Sequence, residues 1–345
     1  MSWFKKQLMH PAAPATEEFI YIIYQSLFQR APSGDEINNN LKRNISDIIH
    51  DLRKTPDFAN NFPNLIRQYT IRLGTQHVDD TNNFKRMLEK SPISEGNCHS
   101  MIMSSFLPGD YYEFHKLRFQ ELHGLVAYID EKRSVNRLLE ISTMPYTTGV
   151  WKKYLKQLNC LTTIDLQAEK GGPSPEQVAS FGADKHVEVD LNTADLGELA
   201  ANLAQGGGFD IIIATEVVEH LQRDFSEIAQ FMFNCLAPSG VIIVTTPNAV
   251  CEVSLLCIVN GRNPFQRFVD YNGNKGGHMH FREYSMAELL DDVAKIGAVP
   301  FMQIYSACWR DDAERCASED RYHLRANNVV LFGHSQDLPL WRPVP

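Results

Sequence analysis

The chain has 345 residues, 43% of them hydrophobic and 22% charged, with a formal net charge of −9. At about 100–200 residues per domain this length predicts two domains, and the composition is that of an ordinary globular protein. The acidic balance excludes a protein whose main task is wrapping nucleic acid, because phosphate binding needs clustered Lys and Arg; a nucleotide or an RNA end held in one local site stays open. Seven cysteines, an odd count without a C-x-x-C pair, signal neither a disulfide framework nor a zinc ribbon. Free thiols suit a reducing cytosol. No apolar run approaches the ~20 residues of a membrane span, and the first residues lack the apolar core of a signal peptide. The expected location is cytoplasmic.

Residues 1–15 read as a flexible tail ending in a Pro/Ala stretch. Thr16 is a candidate N-cap, with Glu17 and Glu18 in the first turn, where the helix dipole favours acids. Phe19, Ile20, Ile23, Tyr24 and Leu27 follow at helical spacing. Ala31-Pro32-Ser33-Gly34 breaks that helix; a second starts near Asp35 and a third near Ser46, with Ile48, Ile49 and Leu52 apolar. Thr55-Pro56-Asp57-Phe58 opens another, Pro being favoured early in a helix. Residues 16–90 are thus expected to form one helical module. Through Phe19, Tyr24, Leu27, Arg30, Pro32 and Thr55–Phe58 it resembles a small helical family of unknown function found beside bacterial glycan-processing domains. That resemblance implies a docking role and a possible protein partner.

Residues 91–133 read as a polar linker followed by an amphipathic helix over Tyr111 to Asp130. Phe114, Leu117, Leu122, Leu125, Val126 and Ile129 are its apolar residues, and His115, Arg118 and His123 its basic ones. Such a helix is placed to lie over the mouth of the next domain. Residues 134–335 alternate strand and helix, the signature of a parallel α/β sheet. Expected strands are Arg137–Ser142, Leu161–Asp165, His186–Asp190, Phe209–Ala214, Val241–Thr246, Val299–Tyr305 and Asn328–Gly333. Expected helices are Trp151–Leu158, Pro175–Phe181, Ala194–Leu203, Asp224–Leu236 and Met286–Ile296. Residues 336–345 are a second tail.

Open α/β sheets bind ligands outside the carboxyl ends of their strands, so the strand ends carry the chemistry. Strand one ends in Glu140-Ile141-Ser142-Thr143-Met144-Pro145-Tyr146, strand two in Asp165, strand three in Asp190. Strand four runs into Thr215-Glu216-Val217-Val218-Glu219-His220-Leu221. A long insertion follows Asn248 and ends in His278-Met279-His280-Phe281-Arg282-Glu283-Tyr284-Ser285. These segments resemble the class I S-adenosylmethionine-dependent methyltransferases, most closely the ubiquinone-biosynthesis type. The resemblance implies a Rossmann-like seven-stranded sheet with its last strand antiparallel, preceded here by the small all-α domain. It also implies S-adenosylmethionine as cofactor, held by Glu140, Ser142, Thr143, Asp165, Asp190, Thr215 and Glu216. An acid at the end of strand two accepts hydrogen bonds from both ribose hydroxyls. The family's loop after strand one has glycine where this chain has Ser142, Met144 and Tyr146, because the backbone must approach the cofactor closely. Side chains there are expected to crowd the loop. It is either remodelled around the cofactor, with Ser142 and Thr143 as donors, or closed, leaving an inactive binding or scaffold protein.

Glu216, Glu219 and His220 are spaced i, i+3 and i+4, which on a helical turn is one face. With His280 they resemble the metal sites of quinone O-methyltransferases and of small-RNA 3′-end 2′-O-methyltransferases. The resemblance implies Mg²⁺ or Mn²⁺ on Glu216, Glu219, His220 and His280, lowering the pKa of an acceptor hydroxyl. Without a metal, His220 or His280 serves as base, with Glu219 beside it, since imidazole titrates near neutral pH. The expected reaction is O-methylation of a small-molecule or glycan-like acceptor, with Arg262, Arg282 and Tyr284 as candidate contacts. The RNA-end reading remains an alternative, although the acidic balance makes a nucleic-acid partner the less expected one.

Overall fold

The computed structural model describes residues 30–41, 81–90, 109–259, 280–307 and 324–334, together with shorter pieces between 15 and 55 and at 102, 262–264, 313–314 and 316. Two compact units divide the chain, residues 1–76 and 77–345.

In the first unit, helix α1 (Gly34–Asn40) starts at a capping box. The Ser33 hydroxyl accepts the Glu36 N–H, and the Glu36 carboxylate accepts the Ser33 N–H, so two otherwise unpaired amides are satisfied at once. Arg30 pairs with the same carboxylate at 2.7 Å. Helix α2 (Ile45–Leu52) buries Ile48 and Leu52, and Ile20 and Tyr24 are buried in the same unit. Phe19, Ile23, Leu27 and Pro56 to Phe58 lie outside the described residues.

The second unit is a three-layer α/β domain. Its chain order is α3 (Thr81–Lys90), α4 (Asp110–Lys132), β1 (Arg137–Ile141), α5 (Thr148–Tyr154), β2 (Cys160–Asp165), α6 (Pro175–Ser180), β3 (Lys185–Glu188), α7 (Leu196–Leu203), β4 (Phe209–Thr215), α8 (Phe225–Cys235), β5 (Leu236–Pro247), α9 (Glu252–Val259), α10 (Met286–Lys295), β6 (Val299–Ser306) and β7 (Asn327–Gly333). The seven strands form one sheet in the order β3-β2-β1-β4-β5-β7-β6. Strand β7 runs antiparallel to both β5 and β6, while the β1, β2, β3, β4 and β5 pairings are parallel. This is the Rossmann-like methyltransferase topology expected from the sequence.

Both faces of the sheet are buried, which is why its strands read as nearly continuous apolar runs. The period of two sorts them. Leu139, Ile141, Ile212, Ala214, Ile242, Val244, Val330 and Phe332 point to one face, covered by Phe225, Ile228 and Met232 of α8 and Leu289 and Val293 of α10. Leu138, Ile211, Ile213, Val241, Ile243, Val329 and Leu331 point to the other, covered by Leu122, Val126 and Ile129 of α4, Phe84 of α3 and Trp151 of α5. Each large aliphatic or aromatic side chain buried here contributes about 1.5–3 kcal/mol. Gly124 of α4 admits Leu88 of α3: a Cβ at that position would lie 2.2 Å from a Leu88 methyl carbon. Helix α9 falls where the sequence suggested only an insertion; residues 265–279, including His278, lie outside the described residues. No described helix is long and apolar enough to cross a membrane.

Candidate active site

The strand order reverses between β1 and β4, the point where open α/β sheets bind ligands at their carboxyl ends. The loop after β1 lies on one side of that point, and the segment after β4 on the other.

On the β1 side, Ser142 has φ 69°, in the left-handed region. Glycine is the residue that adopts this conformation without cost, so a serine here holds a backbone that favours glycine. The Ser142 N–H donates to the Ile164 carbonyl at 2.9 Å. The expected crowding by Met144 and Tyr146 takes another form. Both side chains pack into a hydrophobic cluster with Ile102, Tyr112, Phe119 and Val150. The Tyr146 ring lies 5.3 Å from Tyr112 and 5.5 Å from Phe119, and its hydroxyl accepts the Gly109 N–H at 3.3 Å. The bulk that replaces glycine therefore docks the start of α4.

Glu140 was expected to bind cofactor, but its side chain is completely buried. Its Oε2 accepts the Thr148 hydroxyl at 2.6 Å, so it braces the first turn of α5 from inside. Burial pushes its carboxyl up to about 7, against the hydrogen bonds of Thr147, Thr148 and Trp151. Asp165, at the end of β2, accepts the Thr143 N–H at 2.6 Å. Burial raises its pKa as well, with Thr143 opposing. Asp165 and Thr143 thus meet at the tip of the loop after β1. Asp190 follows β3, accepts the Asn192 N–H at 3.0 Å and pairs with Lys170 at 3.4 Å, so its carboxylate shapes a turn. Thr215 is buried in register with Thr245 at the end of β4.

On the β4 side, the segment after Thr215 is not an α-helical turn. Glu216 has φ 54°, and a 3₁₀ turn over Val218–His220 follows. This corrects the expectation of one shared face. Glu219, His220 and His280 offer ligand atoms all within 4.8 Å of one another, and Glu216 is not in the group. Its carboxylate turns the other way: Oε2 pairs with Arg118 of α4 at 2.8 Å, and Oε1 accepts the Thr245 hydroxyl at 2.8 Å and the Asn327 amide at 2.9 Å. A guanidinium thus neutralises the acid that the sequence assigned to a metal. Arg118 was visible in the sequence as a basic residue of the covering helix; nothing in the sequence announced its partner.

Glu219 is fully buried. Its Oε2 accepts the Thr246 hydroxyl at 3.0 Å. Its Oε1 lies 3.9 Å from His220 Nε2 and has no hydrogen bond among the described residues. Burial, then the charge of Glu216, hold the Glu219 carboxyl well above the usual carboxylate range. The Glu219 carbonyl accepts the Phe281 N–H at 2.7 Å, which brings His280 onto the turn. The His220 and His280 rings sit 4.9 Å apart, edge to face. His280 Nδ1 contacts Glu283 Oε1 at 2.9 Å. A carboxylate on one ring nitrogen fixes the tautomer that presents the other to a ligand. The i, i+3 spacing of His280 and Glu283 was the available sequence signal for that pair.

The residues fit a divalent cation: two imidazoles and one carboxylate form a three-ligand set that leaves coordination positions open, and an unsatisfied buried oxygen points among them. Of the candidate acceptor contacts, Tyr284 is corrected. It is 2% exposed, packs on Phe225 at 5.9 Å, and burial pushes its hydroxyl up to about 12. Arg282 is exposed and paired with Glu288 at 2.8 Å, and Arg262 is exposed. His115, one turn before Arg118 on α4, is pushed down to about 4 by burial and then by Arg118, so its ring is neutral near pH 7.

A family model described as a methyltransferase domain matches residues 114–294, just over half of the chain. No curated protein matches the sequence. Similar solved structures include an S-adenosylmethionine-dependent methyltransferase from Mesorhizobium loti, at 11% identity and TM-score 0.42, covering 59% of this chain and 94% of that one. Another is the N-methyltransferase NodS from Bradyrhizobium japonicum WM9 in complex with S-adenosyl-L-homocysteine, at 13% identity and TM-score 0.40, with coverages of 68% and 97%. A third is magnesium protoporphyrin IX methyltransferase from Synechocystis PCC 6803 with bound S-adenosyl-L-homocysteine, at 11% identity and TM-score 0.42, with coverages of 70% and 96%.

Proposed function

The chain belongs to the methyltransferase-domain family and is an S-adenosylmethionine-dependent methyltransferase; from that premise we propose that it methylates a hydroxyl of a small or glycan-like acceptor beside a divalent-cation site formed by Glu219, His220 and His280. The observation that carries this reading is that three-residue group, with the buried Glu219 Oε1 unsatisfied within it. The glycan-like class rests only on the resemblance carried by Phe19 to Phe58; we assign docking to the first unit, because Thr81–Lys90, expected in the same module, belongs to the second, where Phe84 packs in the core.

S-adenosylmethionine supplies an electrophilic methyl group on a sulfonium, and a divalent cation such as Mg²⁺ or Mn²⁺ supplies Lewis acidity toward a hydroxyl. The chain's own work is positioning and proton handling. Asp165 takes the ribose hydroxyls, held by the Thr143 N–H, with the buried Thr143 hydroxyl beside it. Glu219, His220 and His280 would hold the cation. Glu283 holds the His280 ring at Nδ1, leaving Nε2 as the nitrogen that would meet the cation. The same contact supports a second, metal-free reading, in which His280 Nε2 accepts the hydroxyl proton while the oxygen forms its bond to the methyl carbon and the sulfonium–carbon bond breaks.

The deciding experiment is calorimetric titration of S-adenosyl-L-homocysteine into the full chain, alone and with Mn²⁺ or Mg²⁺, beside Asp165→Ala and His280→Ala. The expected result is micromolar binding lost in Asp165→Ala, and Mn²⁺ binding lost in His280→Ala. Homocysteine-ligand binding without Mn²⁺ binding selects the metal-free base. Absence of both in folded protein overturns the proposal.

A further inference from the structure

Helix α4 touches both sides of the site within its first three turns. Tyr112 and Phe119 hold Tyr146 of the loop after β1, and the amide of Gly109, just before the helix, donates to the Tyr146 hydroxyl. From the same stretch, Arg118 reaches Glu216 after β4. Arg118 and Glu216 are nearly buried, with side chains 7% and 12% exposed. Arg118 is itself fixed: its second nitrogen donates to the Tyr111 hydroxyl at 2.9 Å, and its guanidinium lies 5.4 Å from the centre of the Phe119 ring.

Glu216 is where this contact has leverage. It carries a left-handed backbone that a side-chain-bearing residue adopts at a cost, and such conformations persist only where the surroundings hold them. Here the surroundings are three elements converging on one carboxylate, Arg118 from α4, Thr245 from β5 and Asn327 from β7, with the Glu216 N–H on the Thr245 carbonyl at 2.9 Å. The next residues form the 3₁₀ turn that carries Glu219 and His220. The direction of that turn follows from the backbone of Glu216.

We propose that Arg118 is a positioning residue: its ion pair with Glu216 sets the turn bearing Glu219 and His220 and, through α4 and Tyr146, ties that turn to the loop after β1. The loop's loss of glycine at Tyr146 and the diversion of Glu216 from the cation group are then two ends of one device. An aromatic handle on the loop and an acid after β4 are both grasped by a single helix. The inference rests on the proposed function for the roles of Glu219 and His220, while the coupling itself is a property of the protein alone.

Hydrogen exchange followed by mass spectrometry on the full chain tests it. Without ligand, Arg118→Gln is expected to speed exchange of the amides at 216–220 about tenfold, as local opening does when one holding contact is removed, with 209–215 in β4 unchanged. Arg118→Lys, which keeps the charge, is expected to restore most of the protection. With saturating S-adenosyl-L-homocysteine, protection of 142–148 is expected to spread to 216–220 in the wild type and to stop at the loop in Arg118→Gln. Should Arg118→Gln unfold, Glu216→Gln keeps the hydrogen-bonding shape, removes the ion pair and gives the same readout. Unchanged exchange at 216–220 in the ligand-free variants overturns the proposal, as does a loss shared equally with β4. Failure of the ligand to protect any segment of the wild type counts against the proposed function and leaves the ligand-free comparison to decide this one.

Discussion

Glu140 is a carboxylate at the end of β1 with no exposed surface and a pKa pushed up to about 7 by burial. Its folded value lies above the unfolded one near 4.5, so the folded chain holds a proton there that the unfolded chain releases. The contribution to stability is full below about pH 4.5 and is lost as the pH rises through 7, by roughly 3 kcal/mol across the window at 1.4 kcal/mol per unit. Glu140→Gln keeps an oxygen for the Thr148 hydroxyl and removes the titration. Its thermal midpoint is expected to equal the wild type's at pH 5 and to exceed it at pH 8; equal midpoints at both would show that Glu140 titrates normally. At this scale the sequence was legible for position and less so for role. Glu140, Asp165, Glu219, His220 and His280 all stand at strand ends or in the segments joined to them. Yet a motif does not record where a side chain turns. Glu216 shares the i, i+3, i+4 spacing with Glu219 and His220, but one left-handed residue breaks the shared face and delivers its carboxylate to Arg118.

At the scale of elements, the apolar runs of a buried sheet located six strands to within two residues, whereas β5 starts at Leu236, five residues before the expected Val241. Expected Leu161–Asp165 is observed as Cys160–Asp165, and expected Asn328–Gly333 as Asn327–Gly333. Helix α10 begins where the sequence placed it, and the structure shows a capping box of Ser285 and Glu288 at its start. Helix α9 was missed because Glu252–Val259 is apolar almost all round, so it shows no helical stripe. The packing of α4 was also illegible, since its ends do different jobs. Leu122, Val126 and Ile129 lie on the sheet, whereas Tyr112, Phe119 and Arg118 serve the site. This division yields a prediction that runs against the family pattern. Restoring glycine with Tyr146→Gly removes the ring on which α4 docks. A half-buried aromatic contributes about 1–3 kcal/mol, so the midpoint of urea unfolding is expected to fall. Affinity for S-adenosyl-L-homocysteine is expected to stay level or drop. A tighter, equally stable variant would mean that Tyr146 obstructs the loop after all.

Across the whole second unit, the site is assembled from residues far apart in sequence: Ser142 and Asp165 from the first strands, Glu219 and His220 from the middle, His280 and Glu283 from the end of the insertion. Only the folded sheet brings them together, so a ligand that uses them binds the native state and not the unfolded chain. Linkage then fixes the size of its effect. At about 100 times its dissociation constant, a ligand stabilises by roughly 2.7 kcal/mol, and a domain of 150–250 residues gains about 2–4 °C per kcal/mol. S-adenosyl-L-homocysteine at that excess is therefore expected to raise the melting temperature of the transition belonging to residues 77–345 by about 5–10 °C. Mn²⁺ is expected to add a further rise in the wild type and none in His280→Ala, because deleting one of three ligands leaves Glu219 and His220 too few to hold the ion. The two increments separate the two halves of the site. An S-adenosyl-L-homocysteine shift that survives His280→Ala, with the Mn²⁺ shift gone, places cofactor and cation on different residues, as proposed. A Mn²⁺ shift that persists in His280→Ala would move the cation away from the Glu219–His220–His280 group and remove the main support for hydroxyl activation there.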